Sequence, residues 1–339
     1  MPIQPIKVSP TEDGIRLNRW FGRHCPKLSV GEYRKLCRTG QIRINAGRCR
    51  GNEILHDGDI IRVPPGAVQA QGVERKKPTM ESGARFSLKD LEQLRQCIIH
   101  DDPDIVVFNK PAGLATQGGT GIKKSLDKMA AALFPYDTIL LVHRLDRETS
   151  GIIVCAKDQR AAQHLAAEFQ GKTAVKEYLA LLQGVPKNKF GVIDNFMLKG
   201  QVLDAEEAGA YENATGNKPR RAITKYQVLD AIPGAVSWVQ FMPQTGRTHQ
   251  LRMHAAFSLK CPIVGDGLYN GPAAKAVIAD NKLAAVIDGR RLFLLAHRLS
   301  FRHPRTGKIM TMTAQLPYFM KMAVDLLGFG KTEDEGDGS

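Results

Sequence analysis

Two short apolar runs with a dense polar stretch between them constrain this chain more than any other feature. Residues 139–142 and 152–156 are rich in branched aliphatic side chains, a composition typical of core strands. Residues 143–151 are therefore expected to form a polar loop held by two buried strands, and such loops are common positions for chemistry. Asp146 lies in this loop between two arginines. On charge and position alone, it is equally well explained as a structural, salt-bridged carboxylate.

Length and charge indicate a globular protein with a polyanionic partner. The chain has 339 residues, 43% of them hydrophobic, which is enough for a sizeable core and two domains. Its formal net charge is +14, and residues 1–80 contain 15 Lys and Arg against 7 Asp and Glu. A basic surface also serves solubility, but this concentration of charge favours nucleic acid as the partner.

Several classes of site and location are disfavoured by missing patterns. The 6 cysteines form no Cys-x-x-Cys pair, and His249 and His254 are not spaced as paired ligands on a helix, so we expect no metal site. The glycines of residues 118–121 lack the spacing of a P-loop, which argues against nucleotide hydrolysis. No signal peptide or membrane-length apolar run is evident, so we expect a cytoplasmic protein without a membrane partner.

Residues 14–72 are expected to form a small α+β domain. Ser29 and Glu32 match a capping box, which predicts a helix over residues 30–39. The alternating residues 41–45 then predict a half-buried strand. The cations of these two elements are expected to point outward and contact phosphates: Arg34, Lys35, Arg38 and Arg43.

The remainder of the chain divides into a linker, a large domain and a tail. Residues 73–85 are polar and follow a Pro-Pro-Gly sequence, which predicts a flexible linker. Residues 86–325 alternate strand-like and helix-like segments in an order that suits an α+β fold with a mixed sheet. Residues 326–339 are predicted to be an acidic, disordered tail.

The polar loop carries a specific motif. Residues 143–151 read His-Arg-Leu-Asp-x-x-Thr-Ser-Gly, which resembles the active-site signature of the RluA/RluC/RluD family of RNA pseudouridine synthases. The resemblance implies that Asp146 is the catalytic residue. It also implies that the large domain has the pseudouridine synthase fold, a mixed, mainly antiparallel sheet with a central catalytic cleft. The Arg-Glu pair after Asp146 and the Thr-Ser-Gly form are closer to the RluC branch than to RluD.

Two further segments match the same family. Tyr178, in the strand-like residues 176–182, would by default be a core aromatic. The resemblance implies instead that its ring stacks on the target base and that its hydroxyl faces Asp146. Residues 246–254 would by default be a polar helix start, and here the resemblance implies that Arg252 pairs with Asp146. Nearby cations are predicted to contact RNA: Arg144, which would fill the gap left by a flipped base, with Arg247 and His249.

The amino-terminal domain carries a resemblance of its own. Three segments resemble an S4 RNA-binding domain: residues 17–20, the predicted basic helix of residues 30–39 and residues 40–45. Asn18 stands where that domain usually has Asp. The resemblance implies that this S4-like domain holds structured RNA by its shape and through phosphate contacts. An S4-like domain joined to this catalytic domain occurs in enzymes that act on large-subunit ribosomal RNA.

These features predict an RNA pseudouridine synthase, an isomerase that converts specific uridines to pseudouridine. We expect it to act as a monomer on large-subunit ribosomal RNA. The reaction neither oxidises nor adds anything, so no cofactor is expected. One alternative is a non-catalytic RNA-binding or ribosome assembly factor of the same fold, and another is a nucleoside hydrolase or base-excision glycosylase. Two points stay open: which uridines are modified, and whether Asp146 attacks C1′, attacks C6 or forms a glycal.

Overall fold

A computed structural model describes residues 5–25, 28–64, 86–119, 121–198, 200–270 and 291–330 of the chain. The predicted linker lies outside these ranges, as do residues 65–72 of the predicted first domain and residues 331–339 of the predicted tail. No helix within the described ranges is both long and apolar enough to cross a membrane.

The amino-terminal domain is a small four-stranded antiparallel sheet with two helices. Its elements are β1 (Pro5–Lys7), a 3-10 turn (Pro10–Glu12), α1 (Leu17–His24), α2 (Val30–Arg38), β2 (Arg43–Ile44), β3 (Gly47–Arg48) and β4 (Ile60–Arg62). The strands pair in the order β1-β4-β2-β3. The capping box of α2 is confirmed, because the Ser29 hydroxyl accepts the Glu32 N–H at 3.2 Å and the Glu32 carboxylate accepts the Ser29 N–H at 2.9 Å. A separate core includes Trp20, Phe21, Tyr33, Ile42 and Ile61.

The large domain is built on one sheet of eleven strands. These are β5 (Ile98–Asp101), β6 (Ile105–Lys110), β7 (Leu140–Leu141), β8 (Ser150–Ala156), β9 (Val175–Gln183), β10 (Phe190–Leu198), β11 (Gln201–Leu203), β12 (Arg220–Ile232), β13 (Val236–Pro243), β14 (Leu294–Arg302) and β15 (Ile309–Thr313). The helices are α3 (Leu88–Gln96), α4 (Leu126–Leu133), α5 (Gln159–Gln170), α6 (Ala205–Thr215), α7 (Gln250–Met253) and α8 (Tyr318–Leu327). A π-helical turn, His254–Ser258, continues α7.

The order of the strands confirms the predicted fold class. It runs β11-β10-β12-β13-β9-β14-β8-β6-β5, with β15 paired to β14 and β7 paired to β8. Among the strand pairs of the described residues, β8 with β14 is parallel and the others are antiparallel. The large domain is therefore an α+β fold with a mixed, mainly antiparallel sheet.

The two apolar runs that flank the polar loop both contribute strands, but of unequal length. β8 is fully buried over its whole length, as predicted. In the first run only Leu140 and Leu141 form a strand, and both are half-buried. They pair antiparallel with the end of β8, opposite Ala156 and Cys155. The polar loop thus connects two strands that are hydrogen-bonded to each other.

Gly151, the last residue of the motif, lets β8 and β14 approach each other closely. Its φ is 113°, and a Cβ at this position would lie 2.2 Å from the carbonyl oxygen of Ala296. A side chain has no room there, which explains the glycine. Because Gly151 pairs with Ala296 in the parallel register, the end of the polar loop is anchored to an interior strand of the sheet.

The carboxyl-terminal helix corrects the predicted start of the tail at residue 326. Helix α8 ends at Leu327, Gly328 caps it in the left-handed conformation, and Phe329 is buried in the main core. The Gly-Phe pair of residues 328–329 is therefore a helix cap followed by a buried aromatic residue, not the beginning of a disordered segment.

The two domains meet along a polar contact that the sequence did not predict. Arg16 is 8% exposed and pairs with Asp158 and, at 3.7 Å, with Asp104. From the large domain, the Arg305 side chain donates to the carbonyl of Gly14 in the amino-terminal domain at 3.0 Å. We call this contact the seam, and its further members are Asn18, Arg19, Asp101 and Tyr136.

Some of the cations that the sequence analysis assigned to RNA binding form ion pairs in the seam instead. Arg19 pairs with Asp101, and the Asn18 amide donates to the carbonyl of Tyr136. The Tyr136 hydroxyl in turn donates to the Leu28 carbonyl at 2.8 Å. Arg16 and Arg19 therefore neutralise carboxylates of the large domain, and the charge excess of residues 1–80 overstates the cations available to RNA.

Candidate active site

A cavity of about 470 Å³ collects the segments that the sequence singled out. The polar loop forms one wall, β9 and α5 form another, and residues 243–252 complete the lining. This is within the range of about 300–1,000 Å³ that is usual for small-molecule sites. Six of the predicted site residues line the cavity: Arg144, Asp146, Tyr178, Arg247, His249 and Arg252.

Buried groups beneath the polar loop hold the two neighbours of Asp146. The Thr116 hydroxyl donates to the Leu145 carbonyl at 2.6 Å and accepts the Leu145 N–H at 3.2 Å. On the other side, the Lys110 ammonium donates to the Arg147 carbonyl at 3.1 Å. The backbone on both sides of Asp146 is therefore fixed from below, which limits the positions that its carboxylate can adopt.

Lys110 was not recognised as part of the site from the sequence. Its side chain is fully buried at the end of β6, and it donates to the carbonyls of Pro111 and Leu114 as well as Arg147. Burial lowers the pKa of its ammonium to about 8, although the charges of Glu148 and Asp146 act to raise it. The sequence signal was available: a lysine two residues after the apolar run of residues 105–108.

His143 attaches the start of the loop to β8. Its Nε2 accepts the Val154 N–H at 3.0 Å, and its ring stacks on Phe169 with 4.4 Å between centroids. Burial and repulsion from Lys176 lower the pKa of His143 to about 3. The ring is therefore neutral, as an accepting Nε2 requires, and it serves as scaffold for the loop.

Tyr178 lines the cavity from β9, where it is half-buried. Burial raises the pKa of its hydroxyl, and the negative charge of Asp146 raises it further. The phenol consequently stays protonated at neutral pH. The cavity thus contains a carboxylate and an uncharged aromatic hydroxyl that influence each other electrostatically.

The predicted pairing of Arg252 with Asp146 is corrected by the structure. Arg252 forms two hydrogen bonds with Asp266, at 2.7 and 2.6 Å, and both side chains are almost fully buried. Burial opposes the charge of Arg252, but the hydrogen bonds and charge of Asp266, with a further contribution from Asp146, raise its pKa. Within the described residues, the basic side chain within 4.0 Å of the Asp146 carboxylate is His249, with 3.9 Å between Nε2 and Oδ2.

Asp266 was missed because its role depends on a contact made in three dimensions. It follows the buried residues Ile263 and Val264 after a glycine, in a segment that the sequence left without a function. The available signal was an aspartate between two glycines that closely follow an apolar run. The partner of Arg252 lies beyond the motif that identified Arg252 itself.

The other predicted RNA contacts differ in how accessible they are. Arg144 is exposed at the cavity, whereas Arg247 is half-buried and donates from Nε to the Arg221 carbonyl at 3.0 Å. Arg43 is half-buried and donates to the carbonyls of Gly40 and Ala46, so it is less available than predicted. The exposed cations on α2 are Arg34, Lys35 and Arg38.

One group in the described residues has the composition of a metal site. Asp102, Asp104 and His303 offer ligand atoms within 4.8 Å of one another. These carboxylates already have protein partners, because Arg305 Nε lies 2.7 Å from Asp104 and His303 Nε2 lies 3.0 Å from Asp102. Contacts within the protein thus account for this cluster.

Comparison with known proteins gives consistent matches. The sequence model of a family described as RNA pseudouridylate synthase matches residues 104–257. The Ribosomal large subunit pseudouridine synthase C of Vibrio vulnificus is 33% identical over 326 residues, which cover 96% of each chain. That of Haemophilus influenzae is 29% identical over 326 residues, 96% of this chain and 95% of the relative. Among solved structures, Human RNA Pseudouridylate Synthase Domain Containing 4 has a TM-score of 0.58 at 26% identity, and covers 70% of this chain and 95% of that one.

Proposed function

This chain belongs to the RNA pseudouridylate synthase family and is an RNA-modifying isomerase, and from that premise we propose that it converts specific uridines of large-subunit ribosomal RNA to pseudouridine. The observation that carries the proposal is the convergence of Asp146, Tyr178 and Arg144 on one cavity. The choice of RNA rests on the near full-length similarity to relatives named for the large ribosomal subunit.

The proposed reaction exchanges one bond for another within a single nucleotide. The bond from uracil N1 to ribose C1′ breaks, and a bond from C5 to C1′ forms. The proton on C5 leaves, and N1 gains a proton. Nothing is oxidised or reduced, so the chemistry requires no cofactor. Asp146 begins the reaction by attack on C1′, by attack on C6 or by removal of a ribose proton.

The site must take up a uridine that has left its stack. Flipping a nucleotide costs a few kcal/mol, and stacking on an aromatic side chain returns about 1–3 kcal/mol. Tyr178 supplies the ring on the wall of the cavity, and the exposed Arg144 supplies a planar group to occupy the gap in the RNA. The detached uracil has to be recaptured before water reacts, which favours a site closed over by the RNA.

The amino-terminal domain supplies the second RNA contact in this proposal. Arg34, Lys35 and Arg38 are exposed on α2, which leaves their charges accessible to phosphates. The S4-like sequence features and the basic helix support a role in holding structured RNA. We further propose that the protein acts as a monomer in the cytoplasm.

The test is a comparison of substrates with the full-length chain. Unmodified large-subunit ribosomal RNA, small-subunit ribosomal RNA and transfer RNA are incubated separately with the protein and with its Asp146→Asn variant. Pseudouridine is mapped by carbodiimide-blocked reverse transcription, and turnover is measured by tritium release from C5-labelled uridine. We expect pseudouridine at discrete positions of the large-subunit RNA with the wild-type chain alone.

Each alternative gives a different result. Release of free uracil would identify a glycosylase. Tight binding of the large-subunit RNA without isomerisation would identify a non-catalytic assembly factor. Pseudouridine confined to transfer RNA or small-subunit RNA would overturn the assigned substrate while leaving the reaction intact.

A further inference from the structure

The surroundings of Asp146 show which group faces its carboxylate. Two of the five N–H donors of Arg252 bond to Asp266, and among the described residues Arg252 forms no ion pair with Asp146 within 4.0 Å. His249 approaches instead, with its Nε2 at 3.9 Å from Asp146 Oδ2, and its side chain is 25% exposed. This distance exceeds a hydrogen bond, but contacts in unliganded sites are commonly long and shorten when substrate binds.

The backbone of His249 is held in a conformation that few side chains adopt. Its φ is 55° and its ψ is 23°, in the left-handed region. A residue other than glycine in this region costs on the order of 1 kcal/mol, and such residues cluster at functional sites. The carbonyl of His249 still accepts the Met253 N–H at 2.9 Å, so the residue is tied to the first turn of α7.

Tyr269 fixes the orientation of the His249 ring. Its hydroxyl lies 2.9 Å from His249 Nδ1, and the two rings are nearly perpendicular with 5.7 Å between centroids. When the tyrosine hydroxyl donates to Nδ1, the ring proton of a neutral histidine resides on Nε2. The N–H then faces the carboxylate of Asp146.

Tyr269 is itself held in place by the buried ion pair. Its backbone N–H donates to Asp266 Oδ1 at 3.2 Å, and the guanidinium of Arg252 lies 5.2 Å from the centre of its ring. The contacts therefore form a continuous path from Asp266 and Arg252 through Tyr269 to His249. The path ends at Asp146.

From these contacts we infer that His249, oriented by the Tyr269 hydroxyl, is a positioning residue for Asp146, an assignment that rests on the proposed function. The imidazole N–H directs one carboxylate oxygen and leaves the other toward the flipped uridine. This role differs from the RNA contact that the sequence predicted for His249. Arg252 and Asp266 contribute by fixing Tyr269.

Two conservative variants and their combination test the inference. Tyr269→Phe removes the hydroxyl and keeps the ring against Arg252. His249→Asn replaces the imidazole with a residue that tolerates the left-handed conformation. We expect each to lower the single-turnover rate at saturating RNA by about 10- to 100-fold, since small displacements of a reacting group have effects of this size. RNA affinity should change little, and the double variant should be no slower than His249→Asn, because the hydroxyl acts through the imidazole.

A control variant and the pattern of effects distinguish a positioning residue from an RNA contact. Tyr318→Phe, an exposed tyrosine on α8, is the matched variant and should keep the wild-type rate. A wild-type rate in Tyr269→Phe, or effects that multiply in the double variant, would overturn the inference. Weaker RNA binding with an unchanged rate at saturation would return His249 to the role of an RNA contact.

The inference can fail independently of the proposed function. If the wild-type chain makes no pseudouridine in any RNA, the proposed function fails. In that case ¹⁵N NMR of the histidine rings still decides the positioning contact. The Nε2–H resonance of His249 should shift in Asp146→Asn. In Tyr269→Phe the imidazole should lose its preference for the Nε2–H tautomer. Unchanged spectra in both variants would overturn the inference.

Discussion

The guanidinium of Arg252 and the carboxylate of Asp266 form a buried two-bond ion pair beside Asp146. Among the described residues, Asp146 has no hydrogen bond to either member of the pair, although its charge helps to raise the pKa of Arg252. The pair satisfies two charges that could not be buried separately. It therefore fixes one wall of the cavity while leaving the Asp146 carboxylate available for reaction.

Arg252→Ala should lower the free energy of unfolding by about 3–5 kcal/mol, because it leaves the carboxylate of Asp266 buried and unpaired. Urea denaturation of Arg252→Ala, Asp266→Asn and the double variant measures the coupling. We expect the double variant to lose much less than the sum of the two single changes. Strictly additive losses would show that the two side chains do not stabilise each other.

Asp146→Asn should abolish tritium release while preserving the fold. Asparagine keeps the shape of the side chain but has neither the charge nor the nucleophilic oxygen, so a loss of more than about a hundredfold is expected. Its RNA affinity and melting temperature should stay close to those of the wild type. Glu148→Gln, which changes the exposed neighbouring carboxylate, is the matched control. A rate for Asp146→Asn within about tenfold of wild type would remove Asp146 from the chemistry.

Thr116→Val should reduce both stability and turnover. Valine preserves the shape of threonine but leaves the Leu145 carbonyl and N–H without their side-chain partner, which typically costs about 1–3 kcal/mol for a buried group. The single-turnover rate should fall because Leu145 precedes Asp146. Thr116→Ser keeps the hydroxyl and should recover most of the rate. Equal rates in the serine and valine variants would contradict a role for the hydroxyl.

Protein stability should decrease in mild acid because of His143. Its pKa lies near 3 in the fold, against 6.5 for an unperturbed histidine, so the unfolded chain binds a proton more readily. The contribution is complete above pH 6.5 and is lost progressively as the pH falls toward 3. At pH 5 the loss is about 2 kcal/mol.

His143→Gln tests this assignment because it removes the titrating group. The free energy of unfolding, measured from pH 7 to pH 5, should fall less steeply in the variant than in the wild type. Other acid-sensitive groups, including the buried His254, contribute equally to both curves. Parallel curves would show that His143 is not the group responsible.

Arg16→Ala should loosen the amino-terminal domain from the large domain. The change leaves Asp158 and Asp104 without their shared guanidinium, both of them largely shielded from solvent. Calorimetry should show one cooperative transition in the wild type and a separate, earlier transition in the variant. Arg34→Ala, at an exposed position on α2, should leave the transition intact. A single unshifted transition in Arg16→Ala would mean that the seam does not couple the domains.

Much of the fold was predictable because its signals are local. The capping box at Ser29 requires residues three apart, and the hydrophobic character of β6 and β8 is continuous in the sequence. Tyr178 was predicted to lie near Asp146, and both line the same cavity, because the family motif specifies each of them. For such elements, neighbouring residues contain most of the determining information.

The contacts that the sequence missed join residues far apart in the chain. Asp266 pairs with Arg252 across a turn that no periodic pattern marks, and Arg16 reaches Asp158 in another domain. Composition assigned the charge of Arg16 to RNA because a count of cations cannot tell which of them are already paired. β7 is shorter than its apolar run suggested, since hydrophobicity predicts burial but not backbone pairing.

The seam also affects what an ionic-strength titration of RNA binding would measure. The slope of affinity against salt is normally converted to a number of phosphate contacts, on the assumption that the protein itself is unchanged. Here the partly exposed pair of Arg19 and Asp101 is screened by the same ions, whereas the more buried Arg16 responds less. Salt ions would thus weaken the contact between the two domains while they also compete with the protein's cations for the RNA phosphates. If RNA binds the joined domains, a slope measured on the intact chain therefore exceeds the number of phosphate contacts, because part of it reports the separation of the domains.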